Sequence, residues 1–295
     1  MAERNIPRPR LACEITSERV IAARAPEGAG GLEAAAATAL PEGALVPGLQ
    51  QANVIAREAL VEALRQALSG VAGRSRDVCL VIPDATTRIM LLDFDTLPPK
   101  PQEADAVVRF RLKKSLPFEV DESAVSYDSQ GTADPVRVIA AVTPRAVLQE
   151  YESLVRDAGY NPGAVLPSMI AALGAVDGSR PTMVIKVEHG TTTFAIVDQN
   201  QLLLYRALDN GGMTVTGESL VDDVNTSLVY FEDRYTVGVD RVLVTGVQSA
   251  QVLQEALHAS SPIRVEELVS STMAGVAAGT VPRPALAGVV GALLS

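Results

Sequence analysis

The chain has 295 residues, enough for one large domain or two modest ones. Apolar residues make up 47% but aromatics only 4%, with no Trp, so a sizeable core must be built from aliphatic side chains. A net charge of −10 repels phosphate backbones and argues against a general nucleic-acid role, leaving room only for a local basic patch.

Cys13 and Cys79 sit in apolar, strand-like surroundings and read as buried thiols rather than a disulfide. His189 and His258 are isolated, so no zinc site, and no metal site of any kind, is expected from them. Met1 to Arg10 is charged and contains Pro, with no apolar core of a secretion signal. The apolar stretch Ala285–Leu294 is far too short to cross a membrane, and the expected compartment is the cytoplasm.

In chain order, Leu11–Ala23 and Val78–Ile82 read as strands. Pro26–Pro47, rich in Gly, Ala and Pro, reads as loop between them. A helix follows that loop, with Asn53 as its N-cap, Leu60, Val61, Leu64 and Leu68 on one face, and Gly70 at its end. Arg88–Phe94 is a strand, and Glu103–Ser115 is a helix with Ala104, Val107, Val108 and Leu112 inward. Ala124–Gln130 and Arg137–Val142 form a strand pair. The next helix has Thr143 as N-cap, Pro144 at its first position and Gly159 just past its end. Its core face is Val147, Tyr151, Leu154, Val155 and Ala158.

The second half opens at Pro181 with strands Met183–Val187, Thr192–Val197 and Gln201–Ala207, the last two joined by an Asp198-Gln199-Asn200 turn. A long helix, Gly217–Arg234, takes Thr216 as N-cap and points Leu220, Val224, Leu228 and Phe231 inward. Strand Arg241–Thr245, helix Ala250–His258, a short strand at Val265 and an apolar helix close the chain. Groups of two or three strands followed by a helix occur twice, which fits two similar halves of mixed sheet and helix.

Four turns could carry chemistry. Glu188-His189-Gly190-Thr191-Thr192 puts an acid, a Gly and hydroxyls between two strands, where backbone N–H groups can face a phosphate. A tight hairpin explains the same residues and is the simpler reading of that segment alone. Glu14-Ile15-Thr16-Ser17-Glu18 is the counterpart in the first half, but it has no Gly, and Glu18 adds repelling charge. Gly211 and Gly212 precede the long helix, and Gly246 follows a strand; both allow close backbone approach to a ligand, and both also serve as plain strand–turn–helix punctuation.

Taken in order, these segments resemble the actin-like ATPase superfamily, and within it the PilM-type proteins of type IV pilus assembly. The resemblance runs over nearly the whole chain. It includes Leu40–Gly48 with the helix around Leu60–Leu64, and Arg109–Tyr127 with Leu116-Pro117-Phe118. It continues through Val187–Val197, Gly211–Leu228 and Val239–Gly246.

It implies an α/β, actin-like (ribonuclease-H-like) two-lobed fold with a small inserted α+β subdomain. Residues 1–82 would open the first lobe, 83–159 form the inserted subdomain, 160–180 return to the first lobe, 181–272 form the second lobe, and 273–295 return to the first. Matched to the family's nucleotide loops are Glu14, Thr16 and Ser17, then Glu188, Gly190, Thr191 and Thr192, then Gly211 and Gly212, then Gly246. ATP with magnesium is the ligand the family implies. Here both loop Asp positions are Glu, the first-loop Gly is Thr16, and the second Gly of the adenosine turn is Val247. Those departures point to a degenerate, non-hydrolysing member without catalytic residues.

The implied partner is the N-terminal tail of a PilN-like bitopic membrane protein, and through it the pilus alignment subcomplex at the inner membrane. Arg109, Arg111, Lys113 and Lys114 form a basic cluster suited to that partner or to lipid headgroups, though a solvated helix face is the simpler reading of it. The alternatives are an active ATPase of this fold, filament-forming or not, a GspL-like type II secretion protein, and a sugar or acetate kinase.

Overall fold

The structure is a computed structural model that describes residues 9–50, 52–71, 73–131, 135–211, 213, 215, 218–246, 250–257, 263–279 and 281–294. The first half is a five-stranded sheet of order β3-β2-β1-β4-β8. Strands β1 (Leu11–Ile15), β2 (Arg19–Arg24) and β3 (Ala34–Ala39) form an antiparallel meander. Strands β4 (Asp77–Ile82) and β8 (Asn161–Pro167) join it in parallel. The second half repeats this plan in the order β11-β10-β9-β12-β13. Its meander is β9 (Thr182–Glu188), β10 (Thr191–Asp198) and β11 (Gln201–Asp209). Its parallel strands are β12 (Arg241–Gly246) and β13 (Arg264–Glu267).

Helix α1 (Arg57–Gly70) makes the crossover from β3 to β4, as α5 (Glu218–Tyr235) does from β11 to β12. Helix α6 (Ala250–Leu257) links β12 to β13. Between β4 and β8 lies an inserted unit, a three-stranded sheet of order β5-β7-β6 carrying helix α2 (Pro101–Lys113). Its strands are β5 (Arg88–Phe94), β6 (Ser123–Gln130) and β7 (Val136–Pro144). Helix α3 (Arg145–Asp157) returns the chain to β8, and α4 (Ser168–Leu173) follows. A short α7 (Ser271–Ala274) precedes the final helix α8 (Ala287–Leu294).

The two large sheets face each other across a shared apolar core. Ala12, Ile21 and Cys79 of the first sheet, Val184 and Ala195 of the second, and Met169 and Val289 of the helices between them belong to one buried cluster. Helix α8 is buried on nearly every face and lies against α4 and strands β1, β2 and β4. The α4–α8 approach is close, because a Cβ on Gly291 would stand 1.9 Å from the Ala171 carbonyl oxygen. The outer faces are covered by α1 and α3 on the first sheet and by α5 and α6 on the second.

Several expectations need correction. Leu11–Ala23 is a hairpin rather than one strand, turned by Thr16, whose hydroxyl accepts from the backbone N–H of Arg19 at 3.1 Å. The stretch Pro26–Pro47 contains β3, a run of alanines whose small side chains let α1 close on the sheet; a Cβ on Gly70 would sit 3.0 Å from that of Ala36. Asn53 does not cap α1, which starts at Arg57 with no side-chain cap. Its buried amide instead accepts from Gly48 N–H at 2.7 Å and from the Tyr151 hydroxyl at 3.2 Å.

Thr143 is likewise no cap: it lies within β7 and shares a hydrogen bond of 2.7 Å with Thr87, while Pro144 ends β7 just before α3 and has no N–H to satisfy. Val107 points outward, 37% exposed. Strand β8 and helix α4 lie in a stretch read as neither. Pro162 and Pro167 are tolerated in β8 because it pairs on one side only, at the sheet edge. The Thr216 cap, Gly217 and His258 lie outside the described residues.

Candidate interlobe site

An open cleft of about 1190 Å³ lies between the two sheets. One wall is the β1–β2 turn with Thr16 and Ser17, together with the loop from Glu42 to Leu49. The other is the β9–β10 turn with Gly190 and Thr191, together with Gly211 and Gly246. Glu14, Lys186 and Glu188 line its floor. Thus Glu14, Thr16, Ser17, Glu188, Gly190, Thr191, Gly211 and Gly246, drawn from four separate turns, meet in one cavity. Thr192 is buried, where its hydroxyl accepts from the Asn210 amide at 2.9 Å. Gly212 lies outside the described residues.

Gly190 has φ +83° and makes the tight β9–β10 turn. Gly246 has φ +94°, and a Cβ there would stand 2.0 Å from the Val187 carbonyl oxygen. The fit of β12 against β9 therefore requires that glycine, with or without a ligand. Gly211 also has positive φ, +61°, but nothing stands within 4 Å of its would-be Cβ.

The floor joins Glu14 and Glu188 to two residues that the sequence did not single out, Lys186 and Ser168. Strand β9 turns alternate side chains to the same face, so Lys186 and Glu188 both point at the cleft. The Lys186 ammonium donates to Glu188 Oε1 at 2.6 Å within its own strand. It donates across the cleft to Glu14 Oε1 at 2.7 Å, and also to Ser168 Oγ, which itself donates to Glu14. Burial pushes the Lys186 pKa down, while Glu14, Glu188 and Asp84 push it up by more, so the ammonium stays charged. Burial raises the Glu188 carboxyl to about 7 against the pull of Lys186.

Asp84, in the turn after β4, makes a second crossing. Its Oδ1 accepts from the Met169 backbone N–H at 2.9 Å and from the Tyr205 hydroxyl at 3.3 Å, and its Oδ2 accepts from Thr193 Oγ1 at 3.1 Å. Burial raises the pKa of Asp84, with Lys186 opposing, and burial followed by the charge of Asp84 raises that of Tyr205. A lysine inside the apolar run Met183–Val187, and an acid straight after the apolar strand β4, were the signals available for these two positions.

Magnesium with a triphosphate is the ligand this cleft would take by resemblance, and the residues present do not fit it. The carboxylates that would orient a metal already hold an ammonium. Thr16 presents a hydroxyl bound into its own turn where close phosphate approach needs a bare backbone. Glu18, exposed on the same wall, opposes an anion. Among the described residues no His/Cys/Asp/Glu group is arranged to hold a metal ion.

The basic cluster lies on the last turns of α2 and at Lys114 just past its end, away from this cleft. Arg109 pairs with Asp105 at 2.8 Å and Lys113 with Asp121 at 2.5 Å. Among the described residues neither Arg111 nor Lys114 meets a carboxylate; Lys114 lies 4.5 Å over the ring of Phe110, which is 63% exposed.

No protein-family model matches the sequence, and no curated protein matches it. Solved structures do. One chain of a PilM-PilN type IV pilus biogenesis complex is similar over 98% of both chains, with a TM-score of 0.79 at 16% identity. The chain has the actin-like fold. The cytoplasmic domain of EpsL, an inner-membrane component of the type II secretion system of Vibrio cholerae, matches over 80% of this chain and 81% of its own, with a TM-score of 0.52 at 10% identity. The ethanolamine utilization protein EutJ from Carboxydothermus hydrogenoformans matches over 98% and 91%, with a TM-score of 0.52 at 13% identity. Among the described residues no helix is long and apolar enough to cross a membrane.

Proposed function

We propose that the chain is a PilM-like assembly protein, a scaffold that binds the N-terminal tail of a PilN-like bitopic membrane protein. Through that protein it associates peripherally with the inner membrane and with the alignment subcomplex of a type IV pilus. The observation that carries the reading is the likeness to a chain of the PilM-PilN complex over 98% of both chains, which leaves neither large sheet nor the inserted unit unmatched.

The partner tail lies beside the inserted unit, with Arg109, Arg111, Lys113 and Lys114 offering charge to an acidic segment or to headgroups. Arg111 and Lys114 are the cations best placed for it, since Arg109 and Lys113 are already paired. Glu14, Thr16, Ser17, Glu188, Gly190, Thr191, Thr192, Gly211, Gly212 and Gly246 are what remains of a nucleotide cleft that no longer hydrolyses ATP. A type II secretion role is the second reading, favoured by the likeness to EpsL.

Calorimetric titration tests the proposal, using peptides that copy the N-terminal tails of the neighbouring membrane proteins of each system, with and without MgATP. We expect the pilus peptide to bind, and MgATP to add neither heat nor a change in peptide affinity. Binding of the secretion peptide alone would move the chain to the second reading. Steady MgATP turnover would remove the degenerate cleft.

A further inference from the structure

We propose that Lys186 is a resident counter-ion that latches the cleft, joining the second sheet to Glu14 and Ser168 of the first half so that the halves close without a metal ion or a polyphosphate. This goes beyond the scaffold reading, because it concerns closure and holds whichever partner binds.

The geometry carries it. An ammonium has three donors, and all of those on Lys186 are engaged, by Glu14, Glu188 and Ser168. None is left to greet an incoming phosphate, so the side chain serves as a tie rather than a ligand anchor. Lys186 is the only Lys or Arg classed as buried among the described residues, its side chain 4% exposed, while its cross-cleft partner Glu14 is 2% exposed. Glu14 cannot retreat from the contact. Helix α8 closes behind it, and a Cβ at Gly288 would stand 2.4 Å from Glu14 Oε2.

Three carboxylates face this point, Glu14, Glu188 and the more distant Asp84. Without the ammonium they repel one another across the cleft. Carboxylate oxygens are the ligands a divalent cation takes, although these three are not arranged to hold one with Lys186 in place. Lys186 thus fills from within the chain a position that would otherwise call for a cation from solution.

The test compares the wild type with Lys186→Met, which keeps much of the side chain's length but not its charge. The readouts are radius of gyration by small-angle X-ray scattering and melting temperature, in chelator and in millimolar MnCl2 or MgCl2. The wild type is expected to be equally compact and equally stable in all three. Lys186→Met is expected to expand and to melt about 5 °C lower or more in chelator. Manganese should partly restore both properties, and a further Glu14→Gln change should abolish that rescue.

A Lys186→Met protein as compact and stable as the wild type in chelator would overturn the latch. So would a wild type whose melting temperature rises with the divalent ions as the variant's does. Should Lys186→Met fail to fold, Glu14→Gln removes the charge on the opposite side while sparing the lysine. Expansion with lowered melting then supports the latch, and wild-type behaviour overturns it. Peptide titration reports separately: loss of peptide binding by the wild type would sink the scaffold reading and leave the latch standing.

Discussion

Asp84 illustrates how a buried charge can be tolerated without being required. Its two oxygens accept from Met169 N–H, Thr193 and Tyr205, and Lys186, Glu14 and Glu188 are charged groups that face it. Burial raises its folded-state pKa above the usual 3.8, so the stability it contributes is complete below that value and is lost as pH rises through the folded value. Asp84→Asn keeps an acceptor for the Met169 N–H and removes that loss. It is expected to be at least as stable as the wild type at neutral pH in urea denaturation. Asp84→Ala leaves the Met169 N–H and two hydroxyls unpaired and is expected to cost about 2–3 kcal/mol.

The residue scale is also where the sequence was least legible. Glu14, Glu188 and the turn glycines were readable because acids and glycines at strand ends stand out. Lys186 and Ser168 were not, because their meaning lies in a contact 18 residues apart in the chain, and in Glu14, which is 172 residues from Lys186. Thr16 was read as a phosphate-loop position with a side chain in the way; its hydroxyl turns out to be what closes the hairpin.

At the scale of elements, α8 and α4 set the distance between the halves. Gly291 meets the Ala171 carbonyl so closely that Gly291→Ala must push the helices apart. A loss of about 3 kcal/mol is expected in chemical denaturation, from overpacking at a site lined by backbone. Helix α2 is the opposite case. Phe110 and Arg111 are exposed, so Phe110→Ser with Arg111→Glu should leave stability within about 0.5 kcal/mol. If the proposed partner contact lies there, the same pair should weaken peptide binding by tenfold or more, about 1.4 kcal/mol; unchanged binding would move the contact elsewhere.

Element legibility followed composition. Strands rich in Val, Ile and Leu in the second half read at sight, and Gln199 and Asn200 do take the positive φ that the turn between β10 and β11 needs. The alanine strand β3 and the proline-bearing β8 did not read, because edge pairing rather than side-chain preference holds them in the sheet. The expected caps Asn53 and Thr143 failed for a related reason: each polar side chain found a buried partner in another element, which outweighs a helix end.

For the whole molecule, the two sheets repeat one topology, and the twofold grouping of strands and helices made that repeat visible in the sequence. The sequence could not show how closely the halves meet. They share one apolar cluster, so heating should give a single calorimetric transition whose calorimetric and van't Hoff enthalpies agree. Two resolved transitions would mean that the interface is weaker than its burial implies.

The side-chain amide of Gln130, at the end of β6, behaves like one more residue of β11's neighbour. It accepts from Leu202 N–H at 2.5 Å and donates to the Leu202 carbonyl at 2.9 Å, as a paired strand would. Arg234 reaches Asp93 of β5 at 3.6 Å from the same side, while α3 ties the inserted unit to the first sheet. By covalent order the insertion belongs to the first half, yet mechanically it is fastened to both. A force applied at α2 would be divided between the two sheets, and the insertion would act as a brace, so a partner pulling there would strain the molecule as a single body.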